Sequence, residues 1–196
     1  MTRTRIIIGI TVAVLFQTAI LSQMALGQVR LLNSPIEAVL KTRPVDPRDI
    51  FRGDYVILNY EMEQLRSDQV EIADNLKTDQ DIYIVLSLTS PYATPLKVLA
   101  SPPGQLEAGQ AVIRGTLNWF DGGENPTTDM DCIDCKNLFI NLPIDSYFVP
   151  EGTGTDIEEY RNERALGVIV ALNEDGDAAI KGLMLDGRKV YDEPLF

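Results

Sequence analysis

The 196-residue sequence contains no histidine, which limits the chemistry that its side chains can perform. A serine–histidine–aspartate triad, a cysteine–histidine dyad and a histidine-ligated metal are all excluded. Ser34 with Lys41 offers a nucleophile and a base, and Asp54 with Glu151 offers two carboxylates for acid–base chemistry if they lie close together. Neither pair has a spacing that defines a catalytic role, so we expect a protein that is not an enzyme and needs no cofactor. A membrane-anchored hydrolase using one of these pairs is the alternative.

Cys132 and Cys135 form a C-x-x-C motif in an acidic loop, residues 121–136. A structural zinc site needs four ligands, and the sequence has no further cysteine to complete one. A thioredoxin-like redox motif is disfavoured because the neighbouring aspartates would raise the pKa of a thiol. The remaining interpretation is a disulfide between Cys132 and Cys135, formed in an oxidising compartment and closing a small loop. We therefore expect a disulfide and no metal site.

The same loop carries carboxylates of the type that binds calcium. Oxygen ligands suit this ion, but the order of the acidic residues differs from that of an EF-hand loop. A solvated acidic loop is the expected structure, and a calcium-binding module is kept as an alternative. The residues concerned are Asp121, Glu124, Asp129, Asp131 and Asp134.

The overall charge argues against nucleic acid as a partner. The chain has 17 basic and 29 acidic side chains, which gives a net charge of −12. Affinity for nucleic acid comes mainly from lysine and arginine side chains that neutralise phosphates. We therefore expect no nucleic acid partner.

The N-terminal region has the composition of a membrane segment. Residues 6–26 carry no charge, and Arg3 and Arg5 precede them. This length approaches the roughly 20 residues that a membrane-spanning helix requires. We expect a cytoplasmic N-terminus (1–5), a transmembrane signal anchor (6–27) and an extracytoplasmic domain (28–196), in a single-pass protein of the cell membrane. Cleavage of a signal peptide after Gly27 is the competing interpretation, because small residues precede that bond.

The remainder of the chain has the pattern of a β-rich domain. Short apolar runs, alternating or rich in β-branched residues, are separated by proline, glycine, asparagine and aspartate. We predict a mostly β fold, an antiparallel sandwich or barrel-like structure, with one short helix in its C-terminal half beginning near Thr155 and one N-terminal transmembrane helix. The last three strands should form a meander. The predicted strands are 36–42, 55–62, 82–89, 96–100, 111–119, 138–142, 166–172, 178–185 and 189–191.

The most distinctive stretch fits the pattern G-D-Y-x-x-L-x-Y through Gly53, Asp54, Tyr55, Leu58 and Tyr60. It follows a proline-containing segment, and a later run, residues 147–152, reads Tyr-Phe-Val-Pro-Glu-Gly. In these features the chain resembles the GDYXXLXY family of membrane-anchored bacterial proteins, over most of residues 36–188. The resemblance implies a single-span envelope protein of uncharacterised role, often encoded beside a multi-span membrane protein. It thus suggests an interaction or accessory domain whose partner is another integral membrane or envelope protein.

The motif has two physical interpretations. Alternation along a strand places Leu58 and Tyr60 on one face with Asp54, and Tyr55 on the other. In the structural interpretation Leu58 and Tyr60 belong to the core and Asp54 satisfies backbone groups of the preceding turn. In the functional interpretation Asp54, Tyr55 and Glu151 are the polar members of a groove.

Overall fold

The computed structural model describes residues 2–43, 55–121, 136–148, 166–185 and 187–192. Its first element is helix α1 (Thr2–Leu32). In the described part of the chain this is the one helix long and apolar enough to cross a membrane, with a mean hydropathy of 2.0. The helix agrees with the predicted membrane segment but continues beyond it to Leu32. It ends where the backbone N–H and the side-chain amide of Asn33 both donate hydrogen bonds to the carbonyl of Val29, at 3.1 and 2.8 Å.

Strands make up most of the rest of the described chain. A short 3₁₀ helix, Glu61–Glu63, separates the second strand from the third. The strands are β1 (Ile36–Lys41), β2 (Tyr55–Ile57), β3 (Gln64–Arg66), β4 (Glu71–Ile72), β5 (Gln80–Ser87), β6 (Thr94–Leu99), β7 (Gln110–Asp121), β8 (Asn137–Asn141), β9 (Ser146–Phe148), β10 (Leu166–Leu172), β11 (Ala178–Leu185) and β12 (Arg188–Asp192).

The described strands form three sheets. The first has the order β1-β10-β11-β12, the second has the order β3-β8-β7-β5-β6-β4, and the third consists of β2 and β9. All described pairings are antiparallel except that of β4 with β6, which is parallel. The two larger sheets curl as half-barrels, so the predicted mostly β, barrel-like class is confirmed.

The hydrophobic core is formed by side chains of both large sheets. Along β5 the fully buried Ile82, Ile84 and Leu86 lie on one face, as a strand with a core-facing side requires. On the other face Tyr83 is half-buried and Val85 is also buried. By contrast, all seven residues of β10 are buried, because this central strand is covered on both faces. One continuous cluster of buried side chains extends from Ala38 to Leu183 and includes residues of both large sheets.

The C-terminal meander agrees with its prediction. β10, β11 and β12 are neighbours in the first sheet. The turn between β10 and β11 contains Gly176 at a φ of +85°. A Cβ atom there would also lie 3.0 Å from the backbone nitrogen of Arg114 in the other sheet. Glycine is therefore required at this position for two reasons, a left-handed backbone and close contact between the sheets.

The structure differs from the predicted elements in the motif region. Instead of one strand over residues 55–62, β2 ends at Ile57 and the chain enters the 3₁₀ helix after Tyr60. Tyr60 forms an isolated antiparallel bridge with Thr42. Strands β3, β4 and β9 were not predicted, since two or three residues do not show a periodic pattern. The helix predicted near Thr155 lies outside the described residues.

Candidate functional site

The second half of the family-like motif joins several elements of the fold. Leu58 and Tyr60 are both completely buried, as the structural interpretation predicted. The backbone N–H of Leu58 donates a 2.7 Å hydrogen bond to the carbonyl of Asp145, in the turn between β8 and β9. The hydroxyl of Tyr60 donates a 2.7 Å hydrogen bond to the carbonyl of Ile144 in the same turn. These two bonds attach the motif to the β8–β9 turn.

The end of β1 adds a second attachment to the motif. The backbone N–H of Arg43 donates to the carbonyl of Asn59 at 2.9 Å. The hydroxyl of Thr42, which is fully buried, donates to the carbonyl of Leu166 at the start of β10, at 2.8 Å. The motif, β1 and β10 therefore meet at one junction, where the first sheet is connected to the β2–β9 pair.

A buried carboxylate, Glu63, lies at this junction. It is only 7% exposed, and its Oε2 accepts a 2.9 Å hydrogen bond from the backbone N–H of Tyr60. Burial raises the pKa of Glu63, although backbone hydrogen bonds and the positive charge of Arg43 act in the opposite direction. Burial, together with the negative charges of Glu63 and Asp145, raises the pKa of Tyr60 well above its usual value. Both side chains therefore remain in their neutral forms over a wider pH range than exposed ones would.

Glu63 was not among the residues singled out from the sequence. The signal was present in its position three residues after Tyr60, the spacing at which a glutamate accepts a hydrogen bond from the backbone N–H at the start of a helical turn. Glu61, two residues earlier, is instead exposed and pairs with Lys41 at 2.8 Å.

The structure describes only part of the predicted polar groove. Tyr55 pairs with Phe148 in the register of β2 and β9, so the motif strand lies beside the strand that precedes Glu151 in the chain. Gly53, Asp54 and Glu151 lie outside the described residues, and the groove itself remains a prediction.

Ser34 and Lys41, the candidate nucleophile and base, each have a different partner in the structure. The Ser34 hydroxyl donates to the carbonyl of Leu172, whereas Lys41 pairs with Glu61. Ser34 precedes β1 and Lys41 ends it, so they are roughly 20 Å apart at about 3.3 Å per residue and do not converge.

Cys132, Cys135 and the candidate calcium ligands of the acidic loop lie outside the described side chains. In the described ranges, no group of three or more acidic or cysteine side chains is arranged to hold a metal ion.

An open groove of about 1060 Å³ lies between α1 and the β-domain. We call it the helix–domain groove. Its helix wall is lined by Ile20, Gln23, Met24, Gly27, Gln28, Arg30 and Leu31, and its domain wall includes Arg114, Pro143, Asn173, Asp175, Asp177 and Ala178. The domain wall is held in shape by an ion pair between Arg114 and Asp177 and by a 2.7 Å hydrogen bond from the Arg114 backbone N–H to the carbonyl of Gly176.

Comparison with known proteins gives one match. A family model described as "GDYXXLXY protein" matches residues 17–183. The match includes the second half of α1, the motif and the first two strands of the meander. Neither the curated proteins nor the solved structures contain a match.

Proposed function

Because the chain belongs to the GDYXXLXY protein family, we propose that it is a noncatalytic, membrane-tethered accessory domain for another integral membrane or envelope protein. The described motif residues support a structural role, since Leu58 and Tyr60 are buried and hydrogen-bonded to neighbouring elements. Such a junction stabilises the domain and leaves its outer surfaces for interaction.

The tether in this proposal is α1, retained as a signal anchor. Its 31 residues extend about 46 Å, longer than the roughly 30 Å hydrocarbon core of a membrane. The end of the helix, where Val29, Leu31 and Leu32 are half-buried, contacts β10 and β11. Cleavage after Gly27 would require the continuous helix to unwind at that bond. Arg3 and Arg5 favour a cytoplasmic N-terminus and an extracytoplasmic domain.

The observation that carries the interaction proposal is the helix–domain groove. Its helix wall combines apolar side chains with the polar side chains of Gln23, Gln28 and Arg30. The apolar Met24 in this wall is 68% exposed and is continuous with the surface of α1 that would face lipid. Its domain wall is polar and carries Arg114, Asp175 and Asp177. These properties suit a partner with a transmembrane helix and an adjoining polar segment outside the membrane.

Site-specific photocrosslinking in intact membranes tests this proposal. A photoreactive amino acid at Met24 is expected to capture a single integral membrane or envelope protein. Leu26 provides a matched control, because it is 55% exposed at nearly the same depth but about 160° away around the helix. Adducts of equal yield at both positions, or only lipid adducts at Met24, would contradict the assignment of the groove to a partner.

A further inference from the structure

Gln17 places an amide side chain near the middle of the membrane segment of α1. The uncharged residues 6–26 extend about 32 Å as a helix, close to the roughly 30 Å of a hydrocarbon core. Their midpoint is Phe16, so with α1 as the membrane anchor Gln17 lies within about 2 Å of the bilayer centre. Its side chain is exposed and makes no hydrogen bond within the described part of the chain. The described domain therefore supplies no partner for this amide.

Gln17 lies on the face of α1 that lines the helix–domain groove. Successive residues of a helix turn by about 100°, so Met24, seven residues after Gln17, lies only about 20° from it. Ile20 lines the groove between two glutamines, with Gln17 about 60° to one side and Gln23 about 60° to the other. A Cβ atom at Gly27, about 20° from Ile20, would meet no atom within 4 Å, so the space over this glycine is open. A helix that enters the groove from the membrane would thus pass between two amides.

The depth of Gln17 decides what can occupy this face of α1. An amide has two donor hydrogens and one acceptor oxygen, and acyl chains at the bilayer centre offer no group that pairs with them. Leaving these groups unpaired in hydrocarbon is costly, whereas a polar side chain on a neighbouring helix satisfies them. Lipid headgroups lie about 15 Å away, beyond the reach of the side chain. The occupant that the amide requires is therefore a protein helix and not a lipid.

We propose that a transmembrane helix of a different protein packs over Ile20 and Gly27, and that an amide, hydroxyl or protonated carboxyl group on this helix hydrogen-bonds to Gln17. This inference rests on the proposed function and specifies the partner at the same groove. The absence of a side chain at Gly27 lets the partner helix approach closely, as small residues do in membrane helix contacts generally. A second copy of this chain would present the same amide, but the net charge of −12 makes two copies repel each other.

The test repeats the photocrosslinking at Met24 in intact membranes, with the amide of Gln17 present or removed. Gln17→Leu keeps the segment apolar, so the protein still inserts into the membrane, and immunoblotting measures its amount. Thr18→Leu is the matched control, because it replaces a polar residue at nearly the same depth but about 160° around the helix from Ile20. We expect Gln17→Leu to lower the adduct yield about three- to tenfold, as the loss of one interhelical hydrogen bond predicts, and Thr18→Leu to leave it unchanged. Gln17→Asn, which keeps an amide, should recover part of the yield.

Mass spectrometry of the adduct then identifies the crosslinked peptide. It should come from a transmembrane helix of another protein, with a hydrogen-bonding side chain within about three turns of the crosslinked residue. The proposal is overturned if the captured helix carries no such side chain, or if the adduct consists of two copies of this chain. A captured protein whose adduct yield is the same with Gln17→Leu overturns this inference alone and leaves the proposed function supported. The absence of any protein adduct at Met24 overturns both.

Discussion

The hydroxyl of Tyr60 donates a 2.7 Å hydrogen bond to the carbonyl of Ile144, 84 residues later in the chain. Both residues are buried, and the bond joins the last residue of the family motif to the turn between β8 and β9. An aromatic residue alone would fill the same space in the core. The hydroxyl group therefore explains why a tyrosine, rather than a phenylalanine, suits this position.

The first prediction concerns this bond. Tyr60→Phe keeps the ring but leaves the carbonyl of Ile144 without its donor, which should cost about 1 to 3 kcal/mol in the free energy of unfolding. Urea unfolding followed by circular dichroism measures this loss. Tyr83→Phe, at a half-buried tyrosine on β5, is the matched control and should change stability by less than about 0.5 kcal/mol. Equal effects of the two substitutions would show that the Tyr60 hydroxyl has no special role.

The second prediction concerns the pH dependence of stability. The pKa of Glu63 in the folded protein is raised above its usual value of 4.5, mainly by burial. Between these two pKa values the folded state binds more protons than the unfolded state, so the contribution of Glu63 to stability is full below pH 4.5 and is lost as the pH rises through the folded-state pKa. Glu63→Gln removes this titration but keeps an oxygen that can accept the hydrogen bond from Tyr60.

Urea unfolding of the wild type and of Glu63→Gln is measured at several pH values between 7.5 and about 4.5. Comparing the two proteins separates the titration of Glu63 from that of the other carboxylates, which both proteins share. The stability of the wild type relative to Glu63→Gln should increase as the pH falls. Glu61→Gln is the exposed control, two residues away. The free energy of unfolding of the wild type minus that of Glu63→Gln is the quantity to follow. If this difference stays constant, or decreases as the pH falls, the role assigned to the buried carboxyl is contradicted.

The third prediction tests whether the core is one cooperative unit. Leu58 is fully buried in the cluster that also contains Leu166 and Leu183 of the meander. Leu58→Ala should cost about 2 to 5 kcal/mol and should reduce hydrogen-exchange protection in β10 and β11 as well as around Tyr60. Leu96→Ala, at an exposed leucine on β6, should leave protection unchanged. If β10 and β11 of Leu58→Ala keep their protection from hydrogen exchange while the residues around Tyr60 lose it, the domain consists of two independent units.

The fourth prediction concerns Cys132 and Cys135. Thiol titration of protein isolated from membranes, under denaturing and non-reducing conditions, should find no free thiol, because a C-x-x-C pair in an oxidising compartment forms a disulfide. Reduction before titration should release two thiols and serves as the positive control. Two free thiols without reduction would refute the disulfide.

The longer strands of the two large sheets could be predicted from the sequence because their pattern reflects burial. β10 is a continuous apolar run covered on both faces, and β5 contains the apolar run from Ile82 to Leu86, in which only Tyr83 is half-buried. The motif region was harder to predict. Leu58 and Tyr60 keep the alternation of a strand, although the chain has already left β2 at Ile57.

The role of Glu63 could not be predicted with the same rules. Glu61 and Glu63 both resemble surface charges in the sequence Glu-Met-Glu, yet only Glu63 reaches the backbone N–H of Tyr60. Which of the two acids is buried depends on the direction in which the chain turns after Tyr60. The stacking of Trp119 on Phe139 was also missed, because the pairing of β7 with β8 joins residues across a long acidic loop.

The direct connection between α1 and β1 has a mechanical consequence. The helix ends at Leu32, β1 begins at Ile36, and the Ser34 hydroxyl between them is bonded to the carbonyl of Leu172. Because this connection is so short, the domain must incline together with the helix. A tilt of about 20°, the average for membrane helices, displaces one end of a 46 Å helix by about 16 Å relative to the other. With α1 as the proposed membrane anchor, a change in bilayer thickness that alters this tilt would change the height and orientation of the whole domain relative to the membrane.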